Sequence, residues 1–147
     1  MCAYHKVGEL LREALEALEV MKRKDRIYRV FLDTFGVPPD RVELRLNTVI
    51  AVREVPEKDI MGNIDLFDPL VMIAHSFLKC RHPKFKRIKL VAREEPEVKS
   101  KELGVSGLKG KEENHYTIII TKVEDWIEKR IEVEVECREG REHAVVH

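Results

Sequence analysis

The chain is short of everything that usually announces a chemistry. It has only three cysteines, Cys2, Cys80 and Cys137, too few for a framework of bridges, and none forms a CxxC pair. Free thiols in a reducing cytosol are therefore expected. No apolar run approaches the roughly 20 residues needed to cross a bilayer. The start, Met1-Cys2-Ala3-Tyr4-His5-Lys6, lacks the apolar stretch of a secretion signal, so a cytoplasmic protein is expected. There is no excess of either charge: Lys+Arg and Asp+Glu both number 27, which argues against a wholesale polyanion binder. There is no HExxH, no nucleophile elbow, no Walker A motif and no dinucleotide fingerprint. No cofactor is expected, and nothing in the sequence demands an enzyme.

What is present is charge of both signs. Charged residues make up 37% of the chain, well above the usual quarter. Dense, balanced Lys, Arg and Glu is the composition of thermophile ion-pair networks, so a hot-environment source is expected. A length of 147 residues fits one domain, 1–147, able to bury roughly 70% of the surface its unfolded chain exposes.

Two helices stand out. Val7, Leu10, Leu11, Ala14, Leu15, Leu18 and Met21 keep a three–four spacing, resumed by Tyr28, Phe31, Leu32 and Phe35 after the charged patch Lys22–Arg26. This reads as one long helix or two. Gly36 is the expected C-cap, and Pro38-Pro39 forbids continuation. The stripe suits the covering of a sheet in the same chain, with a dimer contact as the alternative. A second, more apolar helix is expected to open at Asp68-Pro69, cap followed by proline, and to end near Cys80 because Pro83 follows. Its stripe is Leu70, Ile73, Ala74 and Phe77, with Met72, His75, Ser76 and Lys79 opposite.

Strands are expected where apolar residues alternate. Residues 41–55 alternate except at Val49 and Ala51, as one long strand or as a hairpin turning at Asn47-Thr48. Residues 84–93 place Ile88, Leu90 and Ala92 inward and Arg87, Lys89 and Arg93 outward. A right-handed crossover through the apolar helix would make these two strands parallel. His115–Val123 and the run Ile131, Val133, Val135, Cys137 complete the set, and Glu139-Gly140 suggests a turn into a short last strand at 144–146. Residues 94–114, with Gly104, Gly107 and Gly110, read as a long mobile loop. The fold expected is α+β: a two-layer, mostly antiparallel or mixed sheet of four to five strands, covered on one face by both helices.

One electrostatic feature offers a site. Lys79, Arg81, Lys84, Lys86, Arg87, Lys89 and Arg93 form a cationic run free of acids, with His82 and Phe85 among them. Such a strand can follow a phosphate backbone and stack a base. Lys109 and Lys111 in the glycine-rich segment could add backbone and ammonium donors. Against this stands the acidic strand face Glu132, Glu134 and Glu136, which would cancel Arg87 and Lys89 if the strands were neighbours. The resulting expectation is an intracellular binding or assembly module, with nucleic acid as ligand. A self-associating structural protein without anionic ligand is the alternative, possible as a homo-oligomer. A divalent-metal hydrolase using Asp59, Asp65 and either His75 or His82 is the third reading. Metal ligation by Cys80, His82, His75, His115 or Cys137 lacks the paired spacing of zinc sites.

Overall fold

The computed structural model describes residues 3–62, 64–97, 100–112 and 114–138, with side chains except those of 3–5, 61, 64–65 and 105–112. Helix α1, Ala3–Phe35, is a single helix of 33 residues. It ends as its glycine predicts: Gly36 takes φ +73° and its N–H bonds the Leu32 carbonyl at 2.8 Å, an αL cap.

Strands β1 (Arg41–Arg45) and β2 (Thr48–Pro56) form a hairpin rather than one long strand. Leu46 and Asn47 both adopt left-handed φ, 48° and 62°, as a two-residue turn requires. The turn resets the alternation, so Val49, Ala51 and Val55 face the core with Val42 and Leu44, and Val49 and Ala51 cease to be exceptions.

A 3₁₀ helix, Glu57–Gly62, leads into α2, Ile64–Leu78. The helix begins before the expected Asp68 cap, and Pro69 lies inside it. Proline there gives up its own N–H bond and crowds the carbonyl four residues earlier. In return Leu66 and Phe67 join the core edge, the Phe67 ring meeting Phe85 edge-on at 5.6 Å. Lys79, at φ +55°, and the Cys80 N–H returning to the Ala74 carbonyl close the helix. Leu70 and Ala74 are buried, Ile73 half so, while Phe77 is exposed instead of joining the stripe.

Strands β3 (Pro83–Glu94), β4 (Lys101–Glu112), β5 (His115–Glu124) and β6 (Ile127–Cys137) complete one open sheet in the order β1-β2-β3-β6-β5-β4. Among the described residues it has six strands, against the four to five expected, and every pairing is antiparallel. β2 and β3 are therefore not parallel: Pro56 pairs with Arg87, so the connection through α2 returns the chain to the end of the sheet it left.

The expected loop at 94–114 is mostly β4. Its register against β5 shifts three times, at Lys101/Gly104, Val105/Gly107 and Gly110/Glu112. Each bulge breaks the period-two pattern by which a strand is recognised. The strand suggested at 144–146, and its turn, lie outside the described residues.

Both helices cover the same sheet face. Ile27 and Phe31 from α1 and Leu70 and Ala74 from α2 share one buried cluster with Ala51, Ile88, Leu90, Ile118, Val133 and Val135. Within it Cys80 and Cys137 form a disulfide, their Cα atoms 5.6 Å apart. This corrects the expectation of free thiols: 57 residues of chain hid a contact that strand β6 makes by ending beside the C-terminus of α2.

Candidate functional site

The cationic run lies where the alternation of β3 puts it, on the sheet face away from the helices. Beside β3 lie β2 and β6, so its outward residues meet carboxylates on both sides. The Arg87 guanidinium reaches Glu54 at 2.6 Å and lies opposite Glu134 in register. Lys89 meets Glu132 at 3.9 Å. Lys86 bridges Glu136 at 3.4 Å and Glu57 at 3.7 Å, and Lys84 holds Glu57 at 3.0 Å. Arg93 binds Glu128 at 3.0 Å and Glu95 at 3.2 Å. Arg130 adds contacts to Glu128 and Glu132 from the next strand.

The titration of these groups follows. A hydrogen bond from Lys84 pulls Glu57 below the usual carboxylate range, and one from Lys86 does the same to Glu136. Burial pushes Glu128 up, but the Arg93 hydrogen bond and the Arg130 charge outweigh it and leave it lowered. Val52, Val91 and Val123 are buried on this face although both helices lie on the other. Long ionic side chains cover them with their methylene stems.

The other predicted cations are not gathered with these. Lys79 caps α2, and Arg81 is exposed in the segment before β3. Lys109 and Lys111 belong to β4, which β6 and β5 separate from β3, and their side chains are not described. The third reading fares similarly. Asp59 is in the 3₁₀ helix, His75 is exposed on α2, His82 precedes β3, and the Asp65 side chain is not described. Among the described residues, no three His, Cys, Asp or Glu side chains come together as a metal site. No helix there is long and apolar enough to cross a membrane.

Two features were not legible as sites. The first is a cleft of Arg23, Arg26, Asn47, Thr48, Glu94, Glu95, Pro96 and Trp126, where the middle of α1 meets one end of the sheet. It is internally matched: Arg23 clasps Glu94, and Arg26 donates to the Asp125 carbonyl at 3.0 Å.

The second is α1 itself. Its contacts with the sheet come from a stripe that includes Val20, Arg23, Lys24, Ile27, Val30, Phe31 and Phe35, buried or half-buried against β1, β2 and β3. Of the stripe read from the sequence, only Phe31 and Phe35 belong to it. Val7, Leu10, Leu11, Leu15, Leu18, Met21, Tyr28 and Leu32 remain between 38% and 65% exposed. At 100° per residue the two stripes lie roughly 135° apart around the helix. Covering the chain's own sheet, the role expected of the long stripe, is met by its Phe31 and Phe35 together with Val20, Ile27 and Val30, while the rest of the expected stripe stays exposed.

Comparison with protein-family models, characterised proteins and solved structures finds no match.

Proposed function

We propose that this protein is a self-associating structural module rather than a polyanion binder or an enzyme, and that α1 is its working surface. The observation carrying this reading is the uncovered apolar stripe of α1, about 38 Å long from Val7 to Leu32 at 1.5 Å per residue. Soluble proteins seldom leave so long an apolar face in water unless it meets a partner.

A nucleic-acid strand at β3 requires cations free of acidic neighbours. Lys84, Lys86, Arg87, Lys89 and Arg93 each have a carboxylate within 4 Å, so a phosphate would have to displace an existing partner at each. This favours the structural alternative, in which the outer face is an ion-paired, solvated wall. The same reading places the protein in the cytoplasm of a thermophile, where ion-pair networks are dense and intracellular disulfides persist.

Light scattering across a concentration series, with a fluorescent single-stranded oligonucleotide added in a parallel titration, tests the proposal. A multimer mass with no oligonucleotide binding at physiological salt is expected. A monomer that binds the oligonucleotide, and loses it when Arg87 and Lys89 become alanine, would overturn it.

A further inference from the structure

We infer that strand β4 pairs with β4 of a second copy of this chain, antiparallel about a two-fold axis between Ser106 and Gly107, so that the sheet continues from one copy into the next. The inference goes beyond the α1 surface proposed above and shares with it only the premise of self-association. β4 ends the sheet: among the described residues its one neighbouring strand is β5. A strand with a single neighbour turns about half of its backbone N–H and C=O groups outward, a ready template for another strand. The opposite edge, β1, offers little of this. It is five residues long, and its Glu43 is already engaged by Arg41 and Arg45. β4 runs for twelve residues.

Charge decides which strand fits. β4 begins Lys101-Glu102 and ends Lys111-Glu112, the same order at both ends. Turned end for end about the 106/107 step, that order is complementary to itself. Lys101 falls opposite Glu112 of the second copy, and Glu102 opposite Lys111. The symmetry repeats both pairs, with Val105 opposite Leu108 beside the axis. Neighbouring registers fail. An axis through residue 106 sets Lys101 opposite Lys111, and one through residue 107 sets Glu102 opposite Glu112. A full step toward the N-terminus keeps only Glu102 opposite Lys109 within the strand, and a full step the other way keeps no ion pair. Parallel pairing in register sets every charge against its like.

Two features of the backbone agree with this register. The shifts of β4 against β5 lie between Lys101 and Gly104, Val105 and Gly107, and Gly110 and Glu112. The same rotation carries the first interval onto 109–112 and the central one onto 106–108, so the two edges bend at the same places. Gly104 is exposed and has no left-handed φ, and a Cβ there would meet nothing within 4 Å. Nothing among the described residues therefore calls for glycine at 104. Glycine within a strand suits the close approach of another backbone, which the second copy supplies. Bulges and charges also blunt an edge against indiscriminate pairing, and here they narrow it to one register.

Charge exchange in the full chain, read by light scattering across a concentration series, tests the pairing. Lys101→Glu with Lys111→Glu makes every one of these pairs like-charged and should weaken the contact on the order of 100-fold. Adding Glu102→Lys and Glu112→Lys to that variant restores complementarity with the signs reversed, and should restore the mass. Cooperative thermal unfolding of the first variant is expected, showing a lost contact rather than a lost fold. Cysteine pairing keeps all four charges and tests the register on its own. Val105→Cys and Leu108→Cys proteins, each with Cys2→Ser, are mixed and oxidised, and the mixed 105–108 dimer should dominate. Dominant 105–105 and 108–108 links would overturn the antiparallel register. A multimer indifferent to the first exchange, or a loss that the second exchange does not restore, would overturn this inference and leave self-association to α1. A natural protein that is monomeric at all concentrations would overturn both this inference and the proposed function.

Discussion

The Arg23 guanidinium and the Glu94 carboxylate, 71 residues apart in sequence, meet through two hydrogen bonds of 2.7 and 3.1 Å. The same carboxylate accepts the Val49 N–H at 2.8 Å, and the same guanidinium donates to the Asn47 carbonyl at 2.8 Å. One ion pair thus ties α1, the β1–β2 turn and the end of β3 at a single point. Truncation would leave partly buried partners unpaired. Arg23→Ala should cost about 1–3 kcal/mol, measured by urea unfolding at neutral pH.

The pH dependence of that contact has a definite sign. The hydrogen bond from Arg23 holds Glu94 below the ordinary carboxylate pKa of 4.5, with the Val49 N–H assisting against burial. A depressed native pKa contributes stability that is fully present above the unfolded value and is lost as pH falls through the folded one. The gap in urea midpoint between the natural protein and Glu94→Gln should be largest at pH 7 and shrink below pH 4.5. A gap that is constant down to pH 3 would mean that the carboxylate charge is not what ties the three elements.

The two stripes of α1 should respond differently to truncation. Phe31 is fully buried, and Phe31→Ala should cost about 3–5 kcal/mol at any protein concentration. Leu15 is largely exposed within one chain. Leu15→Ala should leave a dilute sample's melting temperature nearly unchanged and lower that of a concentrated one. Melting curves at two concentrations read both.

The bridge between Cys80 and Cys137 closes a separation of 57 residues. By chain entropy a loop of that size contributes about 4 kcal/mol. Cys80→Ser with Cys137→Ser should lower the thermal midpoint accordingly. Both cysteines are buried, so reductant should act slowly on the folded protein and quickly in mild denaturant. Thiol titration with and without denaturant checks this.

The β1–β2 turn holds an unneeded cost. Leu46 is fully exposed at φ +48°, where a branched side chain gains nothing from packing, and Asn47 follows at +62°. Replacing Leu46-Asn47 by Asn-Gly should stabilise the protein by about 1 kcal/mol, seen as a raised urea midpoint. The Arg23 contact should survive, because it uses the residue 47 carbonyl.

Local features were legible where the cause was local. The C-cap at Gly36, the inward set Ile88, Leu90 and Ala92, and the acidic alternation of β6 follow from backbone preference and period alone. β4 was not, because glycines and bulges erase the alternation that marks a strand. Nor was the start of α2, where packing of Leu66 and Phe67 outweighs a cap and a proline that point to a later beginning.

Taken alone, the order of residues settled that 7–35 is helical, as one helix or two, that a more apolar helix follows, and that strands carry charge on one side, because those depend on neighbours two to four positions away. Only the folded arrangement decided what the charges do and which helical stripe is left in water. Strand order brings Glu54 and Glu132 to Arg87 and Lys89, and the angle at which α1 meets the sheet turns Ile27 and Phe31 inward and Leu11 and Leu18 outward. Both are contacts between segments distant in sequence, and no periodicity within a single segment encodes them.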